Sequence, residues 1–459
     1  MRTILSLAFV ATLAATAWAA DNLESKPSDP YFEKFQPKKA PRPAGLALQK
    51  GDRLAICGDS ITEQKMYSRI METYLTVCVP ELDVMVRQYG WGGEVAPGFL
   101  ARMTNDCLRF KPTIATTCYG MNDHGYQPYK DSIGDRYRKY STSIVQAFKA
   151  AGARPIQGSP GCVGLKKATN WDEAGVEMKN LNLGTLRNIG IEIAEAENAG
   201  FADIFWPMLK AGFEGRKKYG DDYAIAGKDG VHPGWAGHLV MAYGFLRSFG
   251  LDGEIGTFTV DLGSSHATAS NGHQVLSAKD GEVQIKSSRY PFCATGELTK
   301  DNSLRSAMTL IPFNQELNRL TLIAKNGKAQ SYKVTWGDES KTYSAAELAK
   351  GVNLADDFAV NPFSDAFKKV DAAVIAKQNY ETKQIKQIFH DLVSGKYKTI
   401  DDVKDEEMKK LFALKDDAGK FDREAIAAET EKKRTPLADA IKAAFVPVTH
   451  TIRIEAVTN

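Results

Sequence analysis

The sequence predicts an α/β protein built on a parallel sheet and followed by a smaller β domain. Five short apolar runs, each followed by a helix-like stretch, lie at residues 54–57, 83–87, 113–118, 154–157 and 201–206. This alternation is typical of parallel strands joined by crossover helices. Beyond about residue 255 the pattern changes to alternating or β-branched runs between turn residues, which indicates a second, β-rich domain. A chain of 459 residues has room for two or three domains.

Residues 1–20 are expected to form a secretory signal peptide. Met1-Arg2-Thr3, the apolar run that follows it and an Ala-rich end have the charge, apolar core and small-residue terminus of such a signal. Cleavage is expected after Ala17-Trp18-Ala19, near Ala19/Ala20, which predicts a secreted or periplasmic protein. A membrane anchor is the alternative, but the apolar stretch is shorter than the ~20 residues of a transmembrane helix, so no stable membrane insertion is expected.

The rest of the chain divides by composition. Residues 21–50 are rich in Pro, Lys and Ser and predict an extended tether. The first folded domain is expected at 51–250 and the β-rich accessory domain at 251–459. Helically spaced apolar residues and Lys/Glu-rich stretches predict a helical insertion at about 362–445. The clean alternation at 448–457 predicts a last strand that returns to the β domain.

Charge and cysteine content exclude some classes of function. The 59 basic and 56 acidic residues give a net charge of +3, far from the clustered positive charge of nucleic-acid-binding proteins. Cys57 and Cys118 end apolar runs and are expected to be buried thiols, whereas Cys78 and Cys107 are a candidate disulfide pair. No Cys-x-x-Cys or His-x-x-x-His spacing indicates a metal site, and no cofactor is expected.

Two motifs point to nucleophilic catalysis. Gly58-Asp59-Ser60-Ile61 directly follows an apolar strand-like run, and Asp229-Gly230-Val231-His232-Pro233 lies far downstream. A serine hydroxyl needs an imidazole to accept its proton and a carboxylate to orient that imidazole. Ser60, Asp229 and His232 supply all three groups, in that order along the chain.

Two glycine-containing turns follow the next predicted strands, Gln88–Glu94 and Tyr119–Asp123. With these turns the chain resembles the SGNH hydrolases, also called the GDSL esterase family, whose four signature blocks carry Ser, Gly, Asn and His. The blocks match here at Ser60, Gly93, Asn122 and His232. The resemblance covers about residues 51–250. The sequence around Ser60 lacks the second Gly of a Gly-x-Ser-x-Gly elbow, which argues against an α/β-hydrolase fold.

The resemblance implies a three-layer α/β/α sandwich around a five-stranded parallel sheet. It also implies that Ser60 is the nucleophile, His232 the base and Asp229 the residue that orients the base. The oxyanion donors would then be the amides of Ser60 and Gly93 and the side chain of Asn122.

The chain departs from the family pattern at three positions, and single residues also have ordinary explanations. Ile61 replaces a Leu, Gln88 stands where many members have Asn, and Gly92 adjoins Gly93. Taken singly, Ser60 is also a suitable helix N-cap, and Asn122 is a common turn residue. The whole ordered set favours catalysis. His238, two turns into the predicted helix after His232, is expected to be structural.

Four residues beside the motif loops are candidates for substrate binding. Trp91 and Tyr126 offer flat faces on which a sugar ring can stack, although core packing explains most aromatic residues. Glu94 and Asp123 could accept hydrogen bonds from substrate hydroxyls or could brace the loops.

These features together predict a secreted serine esterase, most plausibly a carbohydrate O-acetylesterase acting on an acylated small molecule or glycan. The alternatives are a lipid-acting esterase or lysophospholipase and a catalytically inactive glycan-binding module. Neither a nucleic-acid partner nor a metal is expected, and the oligomeric state is left open. Activity should fall as acid protonates His232, because the base must be neutral.

Overall fold

The computed structural model describes residues 23–164 and 171–457. The predicted signal peptide at 1–20, including its cleavage site near Ala19/Ala20, lies outside these residues. Among the helices of the described segments, none is long and apolar enough to cross a membrane.

The first domain is built on a five-stranded sheet in the order β2-β1-β3-β4-β5, and every pair of neighbouring strands is parallel. The strands are β1 (Arg53–Gly58), β2 (Met85–Gln88), β3 (Ile114–Cys118), β4 (Arg154–Gly158) and β5 (Gly200–Ala202). Each coincides with a predicted run, but the last run was predicted too long. The backbone N–H groups of Ile204 and Phe205 both donate to Ser159 Oγ, and a helix begins there instead.

Helices cover both faces of this sheet. The helices of the first domain are α1 (Ser60–Glu63), α2 (Tyr67–Val77), α3 (Ala96–Asp106), α4 (Asp131–Ala150), α5 (Glu173–Ala196), α6 (Phe205–Tyr219) and α7 (Trp235–Ser248). Side chains of β1 alternate between two cores, with Leu54 and Ile56 in one and Ala55 and Cys57 in the other. The predicted three-layer α/β/α class is therefore confirmed, together with the β domain and its helical insertion described below.

The segment 23–50 differs from the expected tether, because it lies against the first domain. Phe32 and Phe35 are buried and pack beside Trp206, with ring centroids 5.7 and 6.1 Å away. Burial of two phenylalanines outweighs the Pro- and Lys-rich composition on which the prediction rested.

All six cysteines are free and buried, so the predicted pairing of Cys78 with Cys107 is wrong. Cys78 follows α2 and belongs to the core that contains Ile56, whereas Cys107 follows α3 and belongs to the core that contains Cys57. The sheet separates the two thiols. Cys57 and Cys118 are buried, as expected.

The accessory domain contains two further sheets, in the orders β13-β10-β6-β7 and β12-β11-β14-β9-β8. Its strands are β6 (Glu254–Asp261), β7 (His266–Ala269), β8 (His273–Lys279), β9 (Glu282–Ser287), β10 (Arg319–Lys325), β11 (Ser331–Trp336), β12 (Glu339–Ser344), β13 (Val352–Asn353) and β14 (Val448–Ala456). The last strand, β14, pairs with both β9 and β11. The alternation at the end of the chain predicted this return.

Short helices lie between these strands, and longer ones form the segment that precedes β14. They are α8 (Leu304–Met308), α9 (Phe313–Leu317), α10 (Ala345–Lys350), α11 (Leu354–Asp357), α12 (Ser364–Lys383), the π-helical segment Gln384–Leu392, α13 (Glu406–Phe412) and α14 (Arg423–Ala444).

The helices before β14 cover the free edge of β2. The carbonyl of Val86 accepts hydrogen bonds from Lys377 Nζ at 2.7 Å and from Arg434 Nη2 at 2.9 Å. The N–H of Gln88 donates to Glu381 Oε2 at 3.1 Å. An uncovered edge strand exposes backbone donors and acceptors to other chains, and here side chains of α12 and α14 occupy them.

A buried chain of hydrogen bonds crosses the β domain. Trp336 Nε1 donates to His450 Nδ1 at 3.1 Å, so His450 Nε2 carries the proton and donates to Ser287 Oγ at 3.0 Å. The Ser287 hydroxyl then donates to His273 Nδ1 at 2.8 Å, and His273 Nε2 donates to the Ile255 carbonyl at 2.9 Å. Both imidazoles are neutral in this arrangement, because a second proton on either ring would point at another hydrogen-bond donor.

This network predicts a loss of stability in acid. Burial, and secondarily His273, lowers the pKa of His450 to about 3, against about 6.5 in an unfolded chain. Since the folded-state pKa is depressed, the unfolded chain binds the extra proton as the pH falls below about 6.5, and stability is lost down to about pH 3. When the pH falls from about 7 to about 4.5, the parent should lose roughly 2–3 kcal/mol more unfolding free energy than His450→Gln loses.

Urea unfolding of the parent and the variant at both pH values measures this difference. His266→Gln is the matched control, because His266 is exposed, and it should follow the parent. Identical pH dependence in the parent and His450→Gln would contradict the prediction.

Candidate active site

Ser60 lies where β1 meets the short helix α1. Asp59 is the N-cap of that helix, and its Oδ1 accepts a hydrogen bond from the N–H of Ile61 at 2.9 Å. Ser60 is thus the first residue of the helix and not its cap, so its hydroxyl is left free for other contacts. Gly58 is required at the strand end, because a Cβ there would lie 2.1 Å from Thr62 Oγ1.

The carboxyl of Asp59 is buried directly beneath this helix. Burial raises its pKa to about 7, and the neighbouring Asp123 and Glu94 carboxylates also raise it, against the lowering effect of the Ile61 N–H. The nucleophile candidate therefore sits above a carboxyl group that takes up a proton near neutrality.

Asp229 and His232 lie in the loop between α6 and α7. Asp229 Oδ2 is 2.6 Å from His232 Nδ1, while Oδ1 accepts hydrogen bonds from the N–H groups of Val231 at 2.9 Å and His232 at 2.8 Å. Partial burial alone would raise the pKa of Asp229, but the hydrogen bonds from His232 and Val231 hold it below the usual range. Asp229 is therefore an ionised carboxylate that fixes the imidazole ring.

The structure joins these residues in one hydrogen-bonded chain. His232 Nε2 is 2.8 Å from Ser60 Oγ. With Nδ1–H donating to Asp229, Nε2 presents a lone pair to the Ser60 hydroxyl, which is the tautomer that a general base requires. The side chains of His232 and Asp229 are 38% and 45% exposed, so these hydrogen-bonded side chains lie at an open surface.

The second motif loop packs tightly on α1. A Cβ on Gly90 would lie 2.2 Å from the backbone N of Glu63. The side chain of Gln88 accepts from the Gly90 N–H at 2.6 Å and donates to the Thr62 carbonyl at 3.3 Å. The Gln that replaces the family's usual Asn thus supplies the hydrogen bonds beneath this loop. Gly93 is exposed, with a φ of +71° and no atom within 4 Å of the place that a Cβ would take.

The third motif loop orients the Asn122 amide. Asn122 Nδ2 donates to the Glu94 carbonyl at 3.0 Å, and its Oδ1 accepts from the Tyr126 hydroxyl at 3.2 Å. These two contacts fix which end of the amide carries the protons, and one N–H remains to serve as a donor. Tyr126 itself has a φ of +55°, an uncommon conformation for a residue of this size.

We expect Tyr126→Phe to lower kcat about 5-fold with KM changed less than about 2-fold. The variant keeps the ring but removes the hydrogen bond that orients the Asn122 amide, a contact worth about 1 kcal/mol. Asn122→Ala removes the donor outright, and its expected loss of about 10²-fold is the upper limit. Steady-state kinetics on an acetyl ester measures both, and Tyr129→Phe, at an exposed tyrosine, is the control. A rise in KM at constant kcat would show that Tyr126 acts on substrate instead.

Two of the four candidate substrate-binding residues are occupied by contacts within the protein. Glu94 makes a bidentate ion pair with Arg102 at 2.6 and 2.7 Å and accepts from the Tyr119 hydroxyl at 2.8 Å. Asp123 accepts from the N–H groups of Ala96 and Gly120. Both carboxyl groups are buried. The structure therefore favours the bracing alternative for both.

The two aromatic candidates differ in their surroundings. Trp91 is half-buried between Arg102, 5.0 Å from its ring centroid, and Lys386 and His390 of the π-helical segment. Tyr126 is half-buried beside Trp171, with ring centroids 5.7 Å apart. Burial, with the charges of Asp59 and Asp229, raises the pKa of Tyr126 to about 12. Tyr126 is the aromatic candidate whose hydroxyl contacts a proposed oxyanion residue, Asn122.

His238 is structural, as expected. It is buried, accepts from the N–H of Tyr67 at 3.2 Å and donates to Gln64 Oε1 at 3.1 Å. Burial lowers its pKa to about 3. Within residues 23–164 and 171–457, no group of three or more His, Cys, Asp or Glu side chains is arranged to hold a metal ion.

Sequence reasoning missed the accessory-domain residues that brace the Asp229–His232 loop. The carbonyl of Asp301 accepts from the N–H of Ala236 at 3.1 Å, and its side chain accepts from the N–H of Ala224 at 3.2 Å. The two N–H groups lie just before and just after the Asp229–His232 loop in the sequence. No motif marks Asp301, because its role depends on how the two domains pack.

The first domain is similar in sequence to known hydrolases. The model of the GDSL-like lipase/acylhydrolase family matches residues 56–240. The first domain belongs to the SGNH, or GDSL-like, hydrolase family. The chain is also 24% identical over 233 residues to an acetylxylan esterase of Geobacillus stearothermophilus, a match that covers 45% of this chain and 98% of that protein. The protein is accordingly a serine ester hydrolase with esterase or acylhydrolase activity.

Solved structures extend the comparison beyond the hydrolase domain. A structure described as BT4096, a gut microbial diltiazem-metabolizing enzyme, covers 91% of this chain and 100% of its own at 22% identity, with a TM-score of 0.70. This similarity shows that the fold of the accessory domain is shared as well. A crystal structure of the Geobacillus stearothermophilus acetylxylan esterase covers 45% of this chain and 97% of its own at 24% identity, with a TM-score of 0.36.

Proposed function

We propose that the protein is an exported carbohydrate O-acetylesterase that works by two-step acyl transfer through Ser60, His232 and Asp229. The observation that carries the mechanism is the unbroken chain of hydrogen bonds from Asp229 through His232 to Ser60 Oγ, at 2.6 and 2.8 Å. Ser60 attacks the ester carbonyl while His232 Nε2 takes its proton. The protonated His232 then returns the proton to the leaving alcohol.

The second half of the reaction uses the same groups. A water gives its proton to His232 Nε2 and attacks the acyl carbonyl, and the proton returns to Ser60 as the acid leaves. Asp229 stabilises the imidazolium in both halves without becoming protonated. The N–H groups of Ser60 and Gly93 and the Asn122 side chain are the proposed donors to the negative oxygen.

The open surface of the site supports a glycan substrate over a lipid. The exposure of His232 and Asp229 lets a bulky alcohol portion approach with a small acyl group pointing toward Ser60, as an acetyl group on a polysaccharide would. A long acyl chain would need an extended apolar groove to be favourable. The half-buried pair Tyr126 and Trp171 offers a flat wall beside the site on which a sugar ring can pack. The acetylxylan esterase relative is consistent with this choice.

Hydrolysis of a chromogenic ester series from acetyl to long acyl chains tests the proposal, with the parent and Ser60→Ala compared throughout. Activity that depends on Ser60 and is confined to short acyl groups is the expected result, and release of acetate from an acetylated xylo-oligosaccharide would extend it to glycans. A preference for long chains would favour the lipid-acting alternative. Absence of any Ser60-dependent hydrolysis would contradict the mechanism and favour the binding-module alternative.

A further inference from the structure

The helical insertion of the accessory domain reaches the rim of the active site. Its π-helical segment, Gln384–Leu392, lies beside the second motif loop. Lys386 Nζ is 2.5 Å from Glu63 Oε1 and 5.0 Å from the ring centroid of Trp91. The His390 ring meets the same tryptophan edge-on, with centroids 4.7 Å apart. Lys386 and Glu63 are 323 positions apart in sequence, so only the fold brings them together.

Glu63 links Lys386 to the glycines of the second loop. It is the last residue of α1, the helix that Ser60 begins. A Cβ on Gly92 would lie 2.8 Å from Glu63 Oε2, so one carboxylate oxygen faces Lys386 and the other lies over Gly92. The side chains of Lys386 and Glu63 are only 31% and 24% exposed, which makes this ion pair less screened than a fully exposed one.

The segment that needs holding is the glycine pair Gly92-Gly93. Glycine has more conformational freedom to lose than any other residue, and both glycines are exposed. On one side the loop is anchored at Trp91, whose N–H donates to the Gly58 carbonyl at 3.0 Å. On the other side Glu94 is held by Arg102. Between these anchors, the Glu63 carboxylate is the contact that lies over Gly92.

We propose that Lys386 is a positioning residue of the esterase site. It holds the Glu63 carboxylate over Gly92 and so keeps the Gly93 N–H in place for the oxyanion. The accessory domain thereby completes the active site and is not a separate binding module. π-Helical turns occur frequently at functional sites, and this one sets Lys386 and His390 against the same tryptophan. The inference rests on the proposed function, because it needs the oxyanion role of Gly93.

Lys386→Met tests the inference, because methionine keeps most of the side-chain length over Trp91 but removes the charge. With an acetyl ester we expect kcat to fall about 10-fold and KM to change less than about 2-fold, since the loss is confined to the transition state. Glu63→Gln should show the same loss, and the double variant no further loss. Lys386→Arg should retain most of the parental kcat.

Lys383→Met is the matched control. Lys383 lies three residues earlier in the same helical run and pairs with Asp405 at 2.7 Å and Glu407 at 2.9 Å, both within the insertion. The Lys383→Met substitution should leave kcat unchanged. The inference is overturned if Lys386→Met keeps the parental kcat, if Lys383→Met loses as much, or if the Lys386 and Glu63 variants show independent, additive losses. If Lys386→Met does not fold, Glu63→Gln tests the same link.

Ser60→Ala separates this inference from the function on which it rests. If Ser60→Ala abolishes hydrolysis and Lys386→Met does not slow it, the positioning role fails while the proposed function stands. If Ser60→Ala retains the parental rate, the proposed function itself fails.

Discussion

Ser60→Ala is expected to lower kcat for an acetyl ester by about 10⁵- to 10⁶-fold, and His232→Ala by a similar factor. The two side chains act as one unit through the 2.8 Å contact between Ser60 Oγ and His232 Nε2. The double variant should therefore be no slower than either single variant. The residual rate would come from the oxyanion donors and from substrate binding.

Stability measurements accompany this test, because a loss of folding would also abolish activity. Ser60 is half-buried and its hydroxyl bonds to His232, so its removal should leave the melting temperature close to that of the parent. Ser264→Ala, at an exposed serine of the accessory domain, is the matched control and should keep full activity. A Ser60→Ala enzyme with more than about a tenth of the parental kcat would contradict the assignment of the nucleophile.

Asp229→Asn is expected to lower kcat by about 10⁴-fold, for a reason visible in the loop. Asp229 Oδ1 accepts from two backbone N–H groups, those of Val231 and His232. In the variant the amide oxygen must keep that position, which turns the NH₂ group toward His232 Nδ1. Nδ1 then has to accept, the ring proton moves to Nε2, and the imidazole can no longer take the proton of Ser60.

The variant is nearly isosteric, so the loss should appear in kcat with the fold intact. Asp221→Asn is the control, because Asp221 is an exposed carboxylate just upstream of the loop, and it should match the parent. A kcat within about 10-fold of the parent in Asp229→Asn would show that the carboxylate does not set the tautomer of His232.

Much of the hydrolase domain follows from local sequence signals. Apolar runs place the strands because buried parallel strands need continuous apolar sequence, and the carboxyl ends of such strands meet at one edge of the sheet. This is why Ser60, Asn122 and the second motif loop come together although they are far apart in sequence. Their chemical roles stay predictions until the variants are measured.

Other features depend on packing that a single sequence does not reveal. The Cys78–Cys107 pairing failed because spacing carries no information about which face of a sheet a thiol occupies. The segment 23–50 was misjudged because Phe32 and Phe35 find a cleft beside Trp206 that composition does not predict. Pro436 lies inside the 22-residue helix α14, where proline normally argues for a break. The contact between Lys386 and Glu63 depends on how the helical insertion packs against the first domain.

Covalent labelling shows whether Ser60 is the nucleophile of an acyl-transfer site. A fluorophosphonate is added to the parent enzyme, and esterase activity is followed. The labelled peptide is then identified by mass after trypsin digestion. Trypsin releases the Ser60 peptide as Leu54–Lys65, because Arg53 precedes this segment. We expect one phosphonyl group on Ser60, loss of activity in step with labelling, and much slower labelling of Asp229→Asn. Full esterase activity in the labelled protein, or inactivation with the label on another residue, would show that Ser60 is not the nucleophile.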